Sequence, residues 1–231
     1  MGEEVVIDPV FERNRILGEL RERVRVIPPA DAGHDFHHTL RVAKLALRIL
    51  REETAKRDAR TATVSEEDAV VASALLHDCV PVAKNSPLRK ESARLCAEKA
   101  LEWLAELGWE PVGMRAVISG AILDHSYSGG RIPETLIGKA LQDADRLEAL
   151  GALGLYRTIA TGVSMGAQLF DDADPFAAGR PLDDRAFTLD HFFTKLLKLP
   201  ETFRTESARA EAKSRALYLQ GFVDQLRHEL E

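Results

Sequence analysis

The sequence predicts an all-α protein of about eight helices, and three observations predict it. Apolar residues recur at three- and four-residue spacing along most of the chain. Proline and glycine stand where such runs begin and stop. Strand signals shrink to two short runs, VVIDPV and VRVIPP, the second halted by its prolines. A length of 231 residues suits a single domain over 1–231 with a full core.

From Phe36 the apolar positions Phe36, Leu40, Ala43, Leu47 and Leu50 share one helix face, with Lys44, Arg48 and Arg51 opposite and Asp35 placed as N-cap. The polar linker RDARTATV follows. Ser65, with Asp68 three residues on, reads as a capping-box variant for a helix through AVVASALLHD. CVPVAKNSPLRK has two prolines and no period. Helix resumes through ESARLCAEKALEWLAEL and stops at Gly108. Pro111 opens the next helix, which ends near AILDHSYSGG. Pro133 is placed as first residue of PETLIGKALQDADRLEAL, which runs to Gly151. A helix over GLYRTIATG precedes the acidic stretch FDDADPFAAGRPLDD. That stretch lacks the spacing and final glutamate of a calcium-binding EF-hand and reads as a lid or surface loop. The last helix, about residues 204–230, carries Ala212, Ala216, Leu219, Val223, Leu226 and Leu230 on one seam. The seam suits packing on the core or pairing into a homodimer.

Composition narrows the classes. With 31 basic and 37 acidic residues the formal charge is −6, so the chain has no generic attraction for a nucleic acid polymer or an anionic membrane. Two cysteines, Cys79 and Cys96, exclude a disulfide framework and a multi-cysteine zinc site. No apolar stretch reaches bilayer length. MGEEVVIDPV lacks the basic-then-apolar pattern of a signal peptide. The expectation is a soluble cytoplasmic protein.

Chemistry-bearing residues gather in three places. His34, Asp35, His37 and His38 crowd the start of one helix; His77 and Asp78 end the apolar run LLHD; Asp143 and Asp145 sit in LQDADRLEAL. Each fragment alone fits an ordinary satisfied or solvated group. Together they offer neutral nitrogens and anionic oxygens to a divalent ion, with positions left for water.

GHDFHHTLRV, HDCVPVAKNSPLR, QDADRLEALGA and HFFTKLLKLP, in that order, resemble the HD-domain superfamily of metal-dependent phosphohydrolases, specifically its bacterial uncharacterised or nucleotide-hydrolysing branch. The resemblance covers about residues 33–203 and implies an HD-type helical bundle. It implies metal ligands at His38, His77, Asp78 and Asp145, with His34 and Asp35 supporting the ligands or facing the substrate; His37 points elsewhere on the helix and reads as structural. It also implies one divalent ion, Mn foremost among Mn, Mg, Fe, Co, Ni and Zn, and a metal-activated water attacking phosphorus. Asp78, Lys84 and His125 are the catalytic candidates, and His34, Lys84, Ser86, Arg89 and Lys195 the substrate-binding ones. His125 reads as a general acid, a second-metal ligand or a helix-end cation. His191 and Lys198 are weaker candidates.

Departures limit the reading. Cys79, Val80, Pro81 and Val82 follow His-Asp where guanosine tetraphosphate hydrolases of this superfamily carry an acidic pair. The Gly-Tyr-Pro of cyclic dinucleotide phosphodiesterases and the glutamate of the deoxynucleotidases are missing too. The expected function is hydrolysis of a small phosphorylated metabolite, a nucleotide first. The alternatives are pyrophosphate release from a nucleotide, a di-iron oxygenase drawing on His34, His125 or Asp143, and a non-catalytic nucleotide sensor.

Overall fold

The computed structural model describes residues 7–29, 35–82, 86–126 and 129–231. Among these residues it is all-α, and the one ladder contact is an isolated bridge between Gln168 and Phe187. The chain divides into two compact units, one holding the described residues up to Asp145 and the other those from Arg146 onward.

The first unit is built around one helix. Seven helices are α1 (Asp8–Arg13), α2 (Arg15–Arg25), α3 (Phe36–Asp58), α4 (Val64–Leu76), α5 (Ser92–Glu106), α6 (Val112–Asp124) and α7 (Leu136–Leu147), the last crossing into the second unit. Every residue of α4 from Glu67 to Leu76 is buried, because it packs against α2, α3, α5 and α6 at once. A helix apolar around its whole circumference belongs in a core, and Ala69 to Leu76 has that character. The neighbour α3 presents Val42, Ala43, Ala46, Leu47 and Leu50 to this core.

The helix ends follow local chemistry, in places other than those expected. Asp35 caps α3 by accepting the His38 N–H at 2.7 Å. α4 begins earlier than expected: Thr63, not Ser65, is its N-cap. The Thr63 hydroxyl accepts the Glu66 N–H at 3.2 Å and the Glu66 carboxylate accepts the Thr63 N–H at 2.8 Å, a complete capping box. Asp68 instead joins Arg13 and Asn14. α5 stops at Gly108, whose φ of +72° suits the left-handed stop. α7 begins at Leu136 rather than Pro133, since the Thr135 hydroxyl accepts the Gly138 N–H at 3.0 Å and fixes the start there. α1 and α2 were not anticipated; VVIDPV and VRVIPP fall at their outer ends, partly outside the described residues.

The second unit contains α8 (Gly151–Met165), the loop 166–189, α9 (Asp190–Thr194), a 3₁₀ segment (Leu196–Thr202) and α10 (Glu206–Leu230). α10 packs on α8 and on the 3₁₀ segment through Ala208, Ala212, Leu219 and Val223. The expected seam therefore buries its N-terminal part, while Leu230 is exposed. The acidic loop is held by its own aspartates. Asp171 accepts the N–H groups of Ala173 and Asp174, Asp174 those of Ala178 and Gly179, and the buried Asp190 binds the Arg180 guanidinium at 2.6 and 2.9 Å.

Candidate metal centre

Three side chains from three helices of the first unit converge. His38 lies on the buried face of α3, His77 is the C-cap residue of α4, and Asp145 lies near the end of α7. One donor atom from each falls within 4.8 Å of the others. Asp145 Oδ1 is 3.5 Å from His38 Nε2 and 3.9 Å from His77 Nε2. Asp78, the fourth expected ligand, places Oδ2 3.5 Å from His77 Nε2. Donors about 2.1 Å from one ion stand roughly 3–3.5 Å apart; His38, His77 and Asp145 approach that spacing, and Asp78 is outside the three-donor group.

Why the imidazoles point inward follows from helix ends. The last carbonyls of an α-helix have no intrahelical partner. His77 stands at the end of α4, and its Nδ1 meets the Ala74 carbonyl, three residues back, at 2.7 Å. The free carbonyl takes the Nδ1 proton, which leaves the Nε2 lone pair as the outward face of the ring. His125 repeats the device at the end of α6, its Nδ1 meeting the Ile122 carbonyl at 2.5 Å. The two rings stand edge to face, centroids 5.2 Å apart, and the His38 ring stands 5.6 Å from that of His77.

The electrostatics suit a cation. Burial lowers the pKa of His77 below the ordinary imidazole value, although Asp78 and Asp145 pull it upward, so the ring is neutral and able to ligate. Its buried Nε2 has no hydrogen-bond partner among the described residues, a costly state that ligation would end. Asp145 runs the opposite way. Burial would raise its pKa, but the His38 hydrogen bond and the nearby imidazoles hold it well below the usual carboxylate range. Two imidazoles and one or two carboxylates form a donor set that fits a borderline divalent ion.

Gln142 ties this centre to the end of α6. Its buried side-chain N–H₂ donates to the carbonyls of Asp124 at 2.7 Å and Arg131 at 3.1 Å. The Ala74 and Ile122 carbonyls and Gln142 escaped sequence reasoning; the available signal was that each histidine ends an apolar helix. Asp143 is fully buried rather than solvated and is outside the three-donor group.

The other expected residues are spread out. His34 and Lys84 lie outside the described residues. Ser86 caps the 3₁₀ segment Pro87–Glu91 by accepting the Leu88 N–H, and the exposed Arg89 donates to the Val82 carbonyl at 3.3 Å. Lys195 and His191 belong to the second unit. Lys195 is half-buried, and His191 Nδ1 pairs with Asp184 at 3.0 Å, holding that carboxyl below its ordinary pKa. His37 is exposed, as a non-ligand would be.

The HD domain model matches residues 35–150, half of the chain, and that span contains all three converging donors. The chain belongs to the HD domain family. This HD protein is similar to the uncharacterised protein YpgQ of Bacillus subtilis, at 29% identity over 208 residues, covering 89% of this chain and 88% of YpgQ. The crystal structure of YpgQ in complex with ADP superposes with a TM-score of 0.66 at 26% identity, covering 93% of this chain and 95% of that one. An HD-superfamily hydrolase from Bacillus thuringiensis gives a TM-score of 0.66 at 29% identity, with 93% and 96% covered. The likeness extends beyond the matched domain to nearly the whole chain. Among the described residues no helix is long and apolar enough to cross a membrane.

Proposed function

We propose that this HD protein is a divalent-metal-dependent phosphohydrolase acting on small phosphorylated metabolites, nucleotides first. The observation that carries the reading is the convergence of His38, His77 and Asp145, with Asp78 beside them. Such a set has a use in hydrolysis and little use in a pure binding module. The ADP bound by YpgQ supports a nucleotide as the ligand class.

When bound, a divalent ion supplies Lewis acidity toward a phosphoryl oxygen and a water nucleophile active near neutral pH. The protein's own work is positioning. The Ala74 carbonyl fixes the tautomer of His77, and Asp35 fixes the first turn of α3 beneath His38. The anionic Asp145 balances the charge of the centre. With His125 Nδ1 committed to Ile122, Nε2 is the ring atom left to move a proton, so His125 is the candidate donor to the leaving oxygen. Arg89 and Lys84 are the candidate cations for the non-bridging oxygens, where phosphoryl transfer most needs charge.

The test is a panel of nucleoside mono-, di- and triphosphates and sugar phosphates, assayed with Mn²⁺, Mg²⁺ or Co²⁺ and with chelator. Free phosphate and pyrophosphate are quantified separately. Turnover of at least one nucleotide, abolished by chelator, is expected, and the product separates terminal-phosphate removal from α–β cleavage. No turnover of any phosphate ester or anhydride with any of these metals would sink the reading.

A further inference from the structure

α6 ends on carbonyls that its own helix cannot satisfy, and two side chains take them. His125, the C-cap residue, turns its ring back so that Nδ1 meets the Ile122 carbonyl at 2.5 Å. The Asp124 carbonyl belongs to the peptide unit that joins Asp124 to His125. It accepts from the Gln142 side chain at 2.7 Å. The same amide nitrogen donates to the Arg131 carbonyl at 3.1 Å, just past the glycine pair Gly129-Gly130. Gln142 therefore clasps both ends of the segment that leaves α6. The Arg131 guanidinium draws those ends together again, 3.5 Å from the Asp124 carboxylate.

The consequence falls on His125. A side chain is aimed by the peptide plane it hangs from and by its own torsions. Gln142 fixes the first of these, and the Ile122 carbonyl fixes the second. With both held, the nearly buried ring stands edge to face on His77, centroids 5.2 Å apart. Gln142 is itself fully buried, and its N–H₂ goes to two main-chain carbonyls. A long polar side chain is seldom buried unless it is bonded, and here the bonding sets a backbone position. Gln142 also precedes Asp145 by three residues on α7 and shares its face. One face of α7 thus supplies a donor to the metal centre and the clasp that sets where His125 stands beside it.

We propose that Gln142 is a positioning residue, which aims His125 at the metal centre through the Asp124 carbonyl and does not itself meet substrate. The catalytic consequence rests on the proposed hydrolysis; the aiming of the ring rests on geometry alone.

The experiment compares wild type, Gln142→Met, His125→Gln and the double variant, each full length. Methionine is of similar length to glutamine and removes both donors. Nitrogen-15 spectra of the histidine rings, recorded with Mg²⁺ and assigned with His125→Gln, report which ring nitrogen carries the proton. Wild type is expected to show the Nδ1–H tautomer at both His125 and His77. Gln142→Met is expected to move His125 toward the Nε2–H form that a free histidine ring prefers, with His77 unchanged. With Mn²⁺ and the best nucleotide of the panel above, kcat of Gln142→Met should fall roughly 10–100-fold at a KM within about twofold of wild type, the scale of a slightly misplaced group. In the His125→Gln background the same substitution should change kcat by less than about twofold, since its effect passes through a ring no longer there. An unchanged His125 tautomer, a joint change at His125 and His77, or an equal loss of kcat in both backgrounds would each overturn the proposal. If wild type turns over no nucleotide, the hydrolysis reading fails and the spectra alone decide the positioning. If Gln142→Met does not fold, Gln142→Asn, which keeps the amide one methylene short, takes its place. A fall in kcat of about threefold or more is then expected, again only where His125 is present, and an unchanged kcat and tautomer count against the proposal.

Discussion

The two ends of α4 carry buried polar clusters of opposite character. At the N-terminal end every charge has a partner. Glu67 takes Arg51 at 2.6 Å and Arg13 at 2.9 Å, while Asp68 takes Arg13 at 2.8 Å and the Asn14 amide at 2.8 Å. Acidic groups at a helix N-terminus also answer the helix dipole. At the C-terminal end, His77 presents a buried Nε2, without a hydrogen-bond partner among the described residues, to carboxylates 3.5 and 3.9 Å away. The first cluster is complete and holds α1 and α3 to α4. In the second, the buried His77 Nε2 has no hydrogen-bond partner among the described residues. A buried cluster that satisfies itself is structure; one that leaves donor atoms facing each other is a site.

Breaking the incomplete cluster should give the largest functional effect. His77→Ala removes a ligand, so metal-dependent turnover is expected to fall more than about a hundredfold, since even groups that only orient a ligand cost 10–100-fold when lost. In metal-free form the variant loses the Nδ1–Ala74 hydrogen bond but also discards a buried Nε2 that has no partner among the described residues, so its melting temperature should stay close to that of wild type. Added Mn²⁺ should raise the melting temperature of wild type but not of the variant. Thermal scans with and without metal check both statements. A strongly destabilised metal-free variant would mean that the cluster is structural after all.

The complete cluster should respond in the reverse way. Glu67→Ala takes from Arg51 its 2.6 Å carboxylate partner and leaves Arg13 with Asp68 alone. A fully buried pair broken on one side costs roughly 3–5 kcal/mol, and this one is partly exposed, so about 2 kcal/mol of stability should be lost. Urea unfolding measures that. Activity per folded molecule should stay near wild type, and its loss in a folded variant would erase the contrast between the two ends.

An intermediate effect is expected from His125→Gln. The glutamine fills similar space but cannot deliver a proton, so the maximal rate should fall about 10²–10⁴-fold while metal binding, read by the melting shift with Mn²⁺, persists. Loss of the metal-induced shift would make His125 a ligand instead of an acid.

The contrast was half legible in the sequence. Helix existence was readable because the apolar period of α3 to α7 is strong; the residue pattern gathered candidate ligands in GHDFHH, LLHD and QDADRL, and the resemblance to the HD superfamily singled out His38, His77, Asp78 and Asp145, three of which converge. α1 and α2 were missed because they are short and interrupted by Asn14, whose side chain caps α2 in place of a recognisable linker. The complete cluster was invisible for a related reason: Arg13 meets Asp68 across 55 positions, a pairing that no local pattern encodes. The cap of α4 was misplaced by two residues although Thr63-Glu66 fits the Ser/Thr-x-x-Glu/Gln box and Ser65-Asp68 is only a variant of it. Asp68 is engaged by Arg13 and Asn14 instead.

That cap gives the smallest expected effect, and a test by pH. The Arg60 guanidinium, with the Thr63 N–H and hydroxyl, draws the Glu66 carboxyl from its ordinary 4.5 down to about 2, against the upward push of burial. A carboxyl whose folded pKa is depressed contributes stability above its unfolded value. The contribution is fully present above about pH 5 and is lost as pH falls through 4.5 toward 2. Arg60 and Glu66 are both substantially solvated, so screening keeps the term small. Thr63→Ala should cost about 1 kcal/mol near neutrality. Glu66→Gln should cost less there but flatten the melting temperature between about pH 5 and 2 relative to wild type. Parallel melting curves for the two proteins across that window would show that Glu66 draws nothing from Arg60, and would leave the cap resting on the Thr63 hydroxyl alone.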